Sequence, residues 1–343
     1  MYILGIESSC DETAAAIVEI NTKTGKSKTL SNIISSQIEI HQKYGGVIPE
    51  IAAREHVLNI IPVIYEALSK AKITPKKIEA IAVTKGPGLI TSLITGTETA
   101  RTLAYVWHKP LIGVNHIAGH IYSDFLELKQ KIIFPLVVLT VSGGHTNLVL
   151  MKNHNSFKII GETRDDAAGE AYDKGAKMLD LGYPGGPIIS KYARIFAESG
   201  KKNTIALPRP MIGNGLDFSF SGLKTALLYK IQKDPNWEKR VPEYCFAYQE
   251  AIIDILSRKT ITAAKKYGAK TIMLSGGVSA NLELRTYLAA KVTQELPKNP
   301  LIVPKLSYTT DNAAMIALAG YYALQSKTKT SWQKLKVDVN FGL

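Results

Sequence analysis

The feature that most constrains this chain is the order of its segments, because one programme of short apolar stretches and helix-length stretches is laid out twice. In the first pass, Tyr2–Ile6, Ala14–Ile20 and Leu30–Ile38 have the length and apolar character of strands separated by polar turns. Pro49–Lys72 then spaces Ile51, Val57, Leu58, Ile61, Ile64, Tyr65 and Leu68 mostly three or four residues apart, which predicts a helix with an apolar face. Ala80–Val83 reads as a strand, Thr91–Trp107 as a helix, Leu111–Val114 as a strand, and another helix opens near Asn115. The second pass supplies Leu136–Val141, Leu148–Met151 and Phe157–Gly161 as strands. Later come the strand Thr271–Leu274, a helix from about Ala280, the strand Leu301–Val303 and a helix from about Thr310. An order βββαβαβα repeated in this way predicts two α/β domains, 1–130 and 131–343, with a nucleotide-sized cleft between them. The repeat lies in element order, since the residues of the halves do not match. The region from about 165 to 242, with its Tyr183-Pro184-Gly185-Gly186-Pro187 and Leu207-Pro208-Arg209-Pro210 turns, fits neither pass and is expected to be an insertion forming a wall of the cleft.

A length of 343 residues with 45% hydrophobic and 21% charged side chains is enough for one or two sizeable cores, and argues against disorder and fibrous repeats. The net charge of +13 favours polyanionic partners such as nucleic acids or nucleotides, or an anionic surface, and charge alone does not choose among them. Two cysteines, Cys10 and Cys245, are too few for a disulfide scaffold, and free thiols in a reducing compartment are expected. No apolar run approaches the roughly 18 to 20 residues that span a bilayer. The start, Met1-Tyr2-Ile3-Leu4-Gly5-Ile6-Glu7, does not read as a secretory signal. The expected location is the cytoplasm, with no membrane partner.

Three turns have the composition of phosphate or nucleotide contacts. Val141-Ser142-Gly143-Gly144-His145-Thr146 sits between two apolar strands, where glycines let backbone N–H groups approach an anion and Ser142 and Thr146 offer hydroxyls. A hairpin turn alone would have the same sequence. Glu7–Thr13 occupies a similar place in the first pass but carries Asp11 and Glu12, which repel a bare phosphate and suit a cation, a ribose or proton transfer. Ser275-Gly276-Gly277-Val278-Ser279-Ala280-Asn281 ends a strand just before a helix, where open α/β sheets bind nucleotides, although Ser279 can simply cap that helix.

His116-Ile117-Ala118-Gly119-His120 places two imidazoles at i and i+4, on one face of a helix, with the spacing of metal ligands. Two ligands do not complete a site. Asp311, in Thr310-Asp311-Asn312, is a candidate third, and equally a candidate helix cap. His41, His56, His108 and His154 read as surface or structural, and His145 either touches ligand or steadies its turn. The basic clusters Lys23–Lys28, Lys70–Lys77, Arg258–Lys266 and Lys327–Lys336 are each a solvated face alone and together a candidate footprint for RNA phosphates.

With these motifs in place the chain resembles, over nearly its whole length, the tRNA N6-adenosine threonylcarbamoyltransferases of the TsaD type, once labelled O-sialoglycoprotein endopeptidases. The resemblance is carried by Leu4–Thr13, Tyr44-Gly45-Gly46-Val47-Ile48-Pro49-Glu50, Gly86-Pro87-Gly88-Leu89, the histidine pair and Val141–Thr146. It continues through Asp165–Lys174, Phe218–Thr225, Ser275–Asn281 and Thr310–Asn312, with Asp165–Lys174 and Phe218–Thr225 worded as in the bacterial and organellar branch. It implies an actin/Hsp70/sugar-kinase (ASKHA) fold of two RNase H-like domains. It also implies transfer of threonylcarbamoyl from threonylcarbamoyl-AMP to N6 of adenosine 37 in tRNAs reading codons that begin with A (ANN), with release of AMP.

The positions matching His116, His120 and Asp311 are implied to bind one metal, Fe2+ or Zn2+. Those matching Thr140, Val141, Ser142, Gly143, Gly144, Asp173, Gly186 and Asn281 are implied to contact the adenylate. Many members carry Asp where this chain has Ser190, so that carboxylate is absent here. Glu12 or Asp11 is the candidate base for the N6 proton. The implied partners are a threonylcarbamoyl-AMP synthase, a smaller inactive paralogue of the TsaB type and a P-loop ATPase of the TsaE type.

Three other classes compete. A metallopeptidase would explain the histidine pair, but Ile117 stands where the zinc-protease helix has Glu. An ATPase or kinase of the same fold would hydrolyse ATP without tRNA. An inactive scaffold subunit would have no need of His116, His120 and Asp311 together.

Overall fold

The computed structural model describes residues 1–128, 130, 132–326 and 331–343. The chain forms two compact units, Met1–Lys131 with Pro304–Leu343, and Ile132–Val303.

The first unit begins with β1 (Tyr2–Glu7), β2 (Glu12–Ile20) and β3 (Ser27–Ser36), followed by a short helix α1 (Ile38–Gln42) and the long α2 (Pro49–Ala71). Then come β4 (Ala80–Gly86), α3 (Ile90–Trp107), β5 (Leu111–Asn115) and α4 (His116–Ser123). The sheet runs β3-β2-β1-β4-β5; β1 pairs antiparallel with β2 and parallel with β4, and β4 pairs parallel with β5. β1 and β4 are buried along most of their length, as parallel central strands covered on both faces must be. Leu4, Ile6, Ala15 and Ile17 pack against Ile60, Val63, Ile64 and Ala67 of α2 and Ala100 and Ala104 of α3.

α2 keeps its expected span and shows a different face. Ala52, His56, Ile60, Val63, Ile64 and Ala67 point inward, whereas Val57, Leu58, Ile61 and Tyr65 are 58 to 74% exposed. The helix is apolar on two sides, and the side with small residues is the one that lies flush on the sheet. His56 is fixed there, its Nε2 donating to the Cys10 carbonyl (2.9 Å) while its Nδ1 accepts from Thr13 Oγ1 (2.7 Å). His41 is likewise buried and structural, bonded to Gln37 and to the Ile48 amide.

The second unit repeats the pattern with β6 (Leu136–Val141), β7 (Thr146–Met151) and β8 (Phe157–Glu162), then α5 (Ala168–Met178), α6 (Gly185–Glu198), α7 (Ser221–Lys233) and α8 (Val241–Lys266). β9 (Thr271–Ser275), α9 (Leu282–Glu295) and the two-residue β10 (Leu301–Ile302) complete it. Its sheet order, β10-β9-β6-β7-β8, is that of the first sheet element for element, read from the opposite edge. The region expected as an insertion is part of the core: Phe218, Phe220, Leu223 and Leu227 are fully buried with the sheet residues.

The last helix, α10 (Ala313–Gln325), lies in the first unit, so residues 304–343 belong there and not to a second domain running from 131 to 343. The physical reason is fit. α10 is apolar almost all round, and β1 offers it a flat face at Gly5, where an added Cβ would sit 2.1 Å from the Ala313 carbonyl oxygen and 2.8 Å from the Ala317 nitrogen. The tail after it is tied to the same unit. Leu335 joins the core, the Asp338 amide donates to the Lys85 carbonyl (2.9 Å), and the Lys85 ammonium stands 3.6 Å from the centre of the Phe341 ring.

Candidate functional site

Three neighbouring parallel strands, β1, β4 and β5, end side by side, and the polar residues at these ends gather around α4. Asn115, the last residue of β5, caps α4: its Oδ1 accepts from the Ile117 amide (2.8 Å) and the Ala118 amide (3.1 Å). Its Nδ2 donates to the Phe341 carbonyl (2.6 Å). α4 is buried throughout and carries His116 and His120 on one face, their rings edge to face with centroids 4.6 Å apart.

Asp311 reaches the same place from the turn before α10. It is not the cap of that helix. Asn312 is, with Oδ1 accepting from the Met315 amide (3.0 Å) and Nδ2 donating to the Thr310 carbonyl (2.9 Å), which fixes the turn that presents Asp311. Asp311 Oδ1 lies 3.1 Å from His120 Nε2 and 3.6 Å from His116 Nε2. The three side chains each bring one ligand atom within 4.8 Å of the others.

The donor set fits a divalent transition metal. Ligand atoms bound tetrahedrally at about 2.1 Å stand about 3.4 Å apart, close to the two Asp311 separations. His120 is buried, and neither ring nitrogen makes a hydrogen bond among the described residues, an arrangement that is costly unless something else takes the lone pair. Two imidazoles and a carboxylate leave a coordination position open.

The electrostatics are dominated by burial. Burial alone would push His116 down, but the carboxylates of Asp311 and Glu7 outweigh it and push the imidazole up to about 9. Glu7 is held below the usual carboxylate range: burial opposes this, and His116 and the Thr84 hydroxyl overcome it. Glu12 at the start of β2 goes the other way, raised well above the ordinary value by burial first and then by the charges of Asp311 and Asp11. The Cys10 thiol is also raised by burial and the neighbouring carboxylates, which makes it a poor nucleophile.

In the second unit the first and third glycine turns come together. Thr140 Oγ1 is 3.1 Å from Ser275 Oγ, and Gly276, at φ +86°, lets its turn approach to where a Cβ would meet the Val141 carbonyl oxygen at 2.3 Å. Gly143 and Gly144 are exposed, with nothing within 4 Å of an added Cβ. Thr146 Oγ1 is buried and accepts from the Ala168 amide (2.8 Å) at the start of α5. Asp173 Oδ1 accepts from the Gly185 amide (2.7 Å), which places it beside Gly186 at the start of α6.

Asn281, not Ser279, caps α9 through the Leu284 amide (3.0 Å). Its Nδ2 donates to Ser190 Oγ (3.0 Å) and Gln249 Oε1 (2.8 Å), and Ser190 Oγ donates to the same Gln249 oxygen (2.7 Å). Gln249 Oε1 thus accepts from both Ser190 and Asn281 and ties α6, α8 and the start of α9 together. Gln249 and Thr84 escaped the sequence reading, because nothing in their local sequence marks them, and in the turn Glu7–Thr13 that reading favoured Asp11 and Glu12 over Glu7 and Ser9.

The cluster Arg258–Lys266 is not a free phosphate footprint. Arg258 is paired with Asp254 and Lys265 with Glu295, and Lys259 is buried with Nζ donating to the carbonyls of Met211, Asn214 and Gly215. Part of the cluster 327–336 lies outside the described residues. Among the described residues no helix is long and apolar enough to cross a membrane, and Cys10 and Cys245 are free thiols.

Residues 28–318 match the family model described as TsaD, tRNA N6-adenosine threonylcarbamoyltransferase. A protein of that name from Thermomicrobium roseum is 48% identical, with 100% of this chain and 96% of the relative covered. One from Listeria welshimeri is 49% identical, covering 99% and 96%, and one from Bacillus subtilis 50%, covering 95% and 91%. Among solved structures, HypF from T. kodakarensis superposes with a TM-score of 0.62 at 13% identity, over 97% of this chain and 49% of that one, a likeness of fold alone. The fold is of the actin/Hsp70/sugar-kinase type, with both sheets in the same order.

Proposed function

The chain belongs to the tRNA N6-adenosine threonylcarbamoyltransferase family, and we propose that its donor is threonylcarbamoyl-AMP and its acceptor adenosine 37 of ANN-reading tRNAs. It is a transferase that forms threonylcarbamoyladenosine (t6A) in tRNA. The observation that carries the finer reading is the convergence of His116, His120 and Asp311 in a chain this similar to those enzymes.

The exocyclic amine of adenine is a poor nucleophile, so the reaction needs alignment, an electrophilic carbonyl and a proton acceptor. The new bond joins N6 to the carbamoyl carbon, the bond from that carbon to the phosphate oxygen breaks, and AMP leaves with the electron pair. In the second unit, the amides of Ser142, Gly143 and Gly144 are the proposed hold on the phosphate, with Thr140, Val141, Asp173, Gly186 and Asn281 around the rest of the adenylate. In the first unit, His116, His120 and Asp311 would hold Fe2+ or Zn2+, which when bound polarises an oxygen of the threonylcarbamoyl group at its open position. Glu12 is the proposed acceptor of the N6 proton, because a carboxylate whose pKa is raised by burial is a stronger base once ionised; Asp11 adjoins it.

The proposed partners are the synthase that makes the donor, a smaller inactive paralogue and a P-loop ATPase, in the cytoplasm. The exposed apolar stripe of Val57, Leu58, Ile61 and Tyr65 on α2 supports a protein partner, and the free thiols support a reducing compartment.

The test is mass-spectrometric nucleoside analysis after mixing the protein, synthetic threonylcarbamoyl-AMP and unmodified tRNA bearing adenosine 37, with His116→Ala alongside. Threonylcarbamoyladenosine is expected with the unmutated chain and not with His116→Ala. Absence of product with the paralogue and ATPase added, or full activity and metal content in His116→Ala, would refute the reading.

A further inference from the structure

We propose that Glu7 is a positioning residue of the metal centre, accepting the Nδ1 hydrogen of His116 and thereby aiming the Nε2 lone pair toward His120 and Asp311. The inference rests on the metal reading above. It adds a residue with no ligand role of its own, placed where it decides which nitrogen of His116 is offered.

Glu7 is the last residue of β1 and is fully buried. The parallel register of β1 and β4 pairs Ile6 with Val83, which brings Glu7 beside Thr84. Its carboxylate is met on both oxygens. Oε1 accepts from the Ser9 amide at 2.6 Å, and Oε2 accepts from Thr84 Oγ1 at 2.5 Å and faces His116 Nδ1 at 3.1 Å. A carboxylate can only accept, so the hydrogen between Glu7 and His116 belongs to Nδ1. Ser9 Oγ, also 3.1 Å from Nδ1, can take a share of the same hydrogen. The opposite nitrogen, Nε2, is the one 3.6 Å from Asp311.

Burying a carboxylate is expensive, and packing the end of a strand does not require one. Ser9 and Thr84 satisfy Glu7 without fixing the ring of His116; the bond to Nδ1 is the one with a consequence for a ligand. A carboxylate bonded to the far nitrogen of a metal-binding imidazole sets its tautomer, restricts its rotation and raises its basicity. His120, whose Nε2 faces Asp311, has no such partner on its Nδ1 among the described residues, so the two histidines are not equivalent.

An amide cannot replace this carboxylate. Glutamine has one acceptor oxygen where the site supplies donors on both sides, so its NH2 must face either the Ser9 amide or His116 Nδ1. In the second orientation it donates to Nδ1, and the ring hydrogen moves to Nε2, the atom needed by the metal.

The experiment measures Zn2+ affinity of the intact chain by competition with a chromophoric chelator, comparing the unmutated protein with Glu7→Gln, with circular dichroism to verify folding. The expected result is a loss of about 10- to 100-fold in affinity. In parallel, 15N-histidine NMR of the Zn2+-loaded unmutated protein is expected to show His116 protonated at Nδ1 and metal-bound at Nε2. A folded Glu7→Gln protein with unchanged affinity overturns the proposal, as does a spectrum in which His116 binds through Nδ1. If Glu7→Gln fails to fold, the spectrum of the unmutated protein decides. An unmutated protein that binds no Zn2+ refutes the metal reading itself, and the role of Glu7 with it.

Discussion

Replacing Asn115 by alanine separates what holds α4 in place from the histidines it carries. The Asn115 side chain does two jobs: Oδ1 caps the helix through Ile117 and Ala118, and Nδ2 ties the C-terminal tail through the Phe341 carbonyl. Loss of an N-cap of this kind costs about 0.5 to 2 kcal/mol. The Phe341 carbonyl loses its partner as well, which adds about 1 kcal/mol. The expected total is about 1.5 to 3 kcal/mol, and for a unit of this size each kcal/mol moves the melting temperature by about 2 to 4 °C. Calorimetry of the metal-free chain should therefore show Asn115→Ala melting about 3 to 12 °C lower. Asn115→Ser restores an oxygen for the cap and not the amide for the tail, so it should recover part of the loss. Because α4 presents both histidines, Zn2+ affinity should fall in the same order. A drop below about 1 °C in Asn115→Ala, or identical melting of the alanine and serine proteins, would refute the two-job account.

Two further predictions come from packing and from charge. Gly5→Ala places a methyl against the Ala313 backbone oxygen, which cannot turn aside as a side chain can, so α10 must shift and stability should fall by about 3 kcal/mol, read by urea unfolding. Since Asp311 precedes α10 by two residues, the same variant should bind Zn2+ more weakly. His154, half-buried against the Phe134 ring, is pushed down by burial from 6.5 to about 4. The unfolded chain therefore takes up this proton first, and stability contributed by the neutral ring, complete above about pH 6.5, should decline from there to about pH 4. Melting curves of the chain and of His154→Phe between those values should diverge toward acid, the variant losing less; parallel curves would rule this out.

Much of this molecule is present in its local sequence, and the reasons are physical. The runs Tyr2–Glu7 and Leu136–Val141 are strands because they are short, apolar and bounded by turns, and their place in a repeated order specifies the sheet that each unit builds. His116 and His120 share a face because a helix turns every 3.6 residues, whatever surrounds it. Other features depend on distant parts of the chain. α2 is apolar on two sides, and only the shape of the sheet selects the side with Ala52, His56 and Ala67. α10 follows the second unit in sequence and packs in the first, because Gly5 leaves the space that it fills.

The site divides in the same way. The sequence alone supplied the two imidazoles and the glycine turns, whose spacing is local chemistry. The tertiary structure decided that Asp311 joins His116 and His120 while Asn312 takes over the capping role, and that Gln249 accepts from both Ser190 and Asn281. It also set Glu7 against the nitrogen of His116 that faces away from Asp311. These pairings join residues as many as 195 positions apart, as in His116 with Asp311. Hydrogen bonds and ligand sets depend on distances of a few ångströms, and proximity of that kind is a property of the packed sheet and helices, which no local pattern of residues encodes.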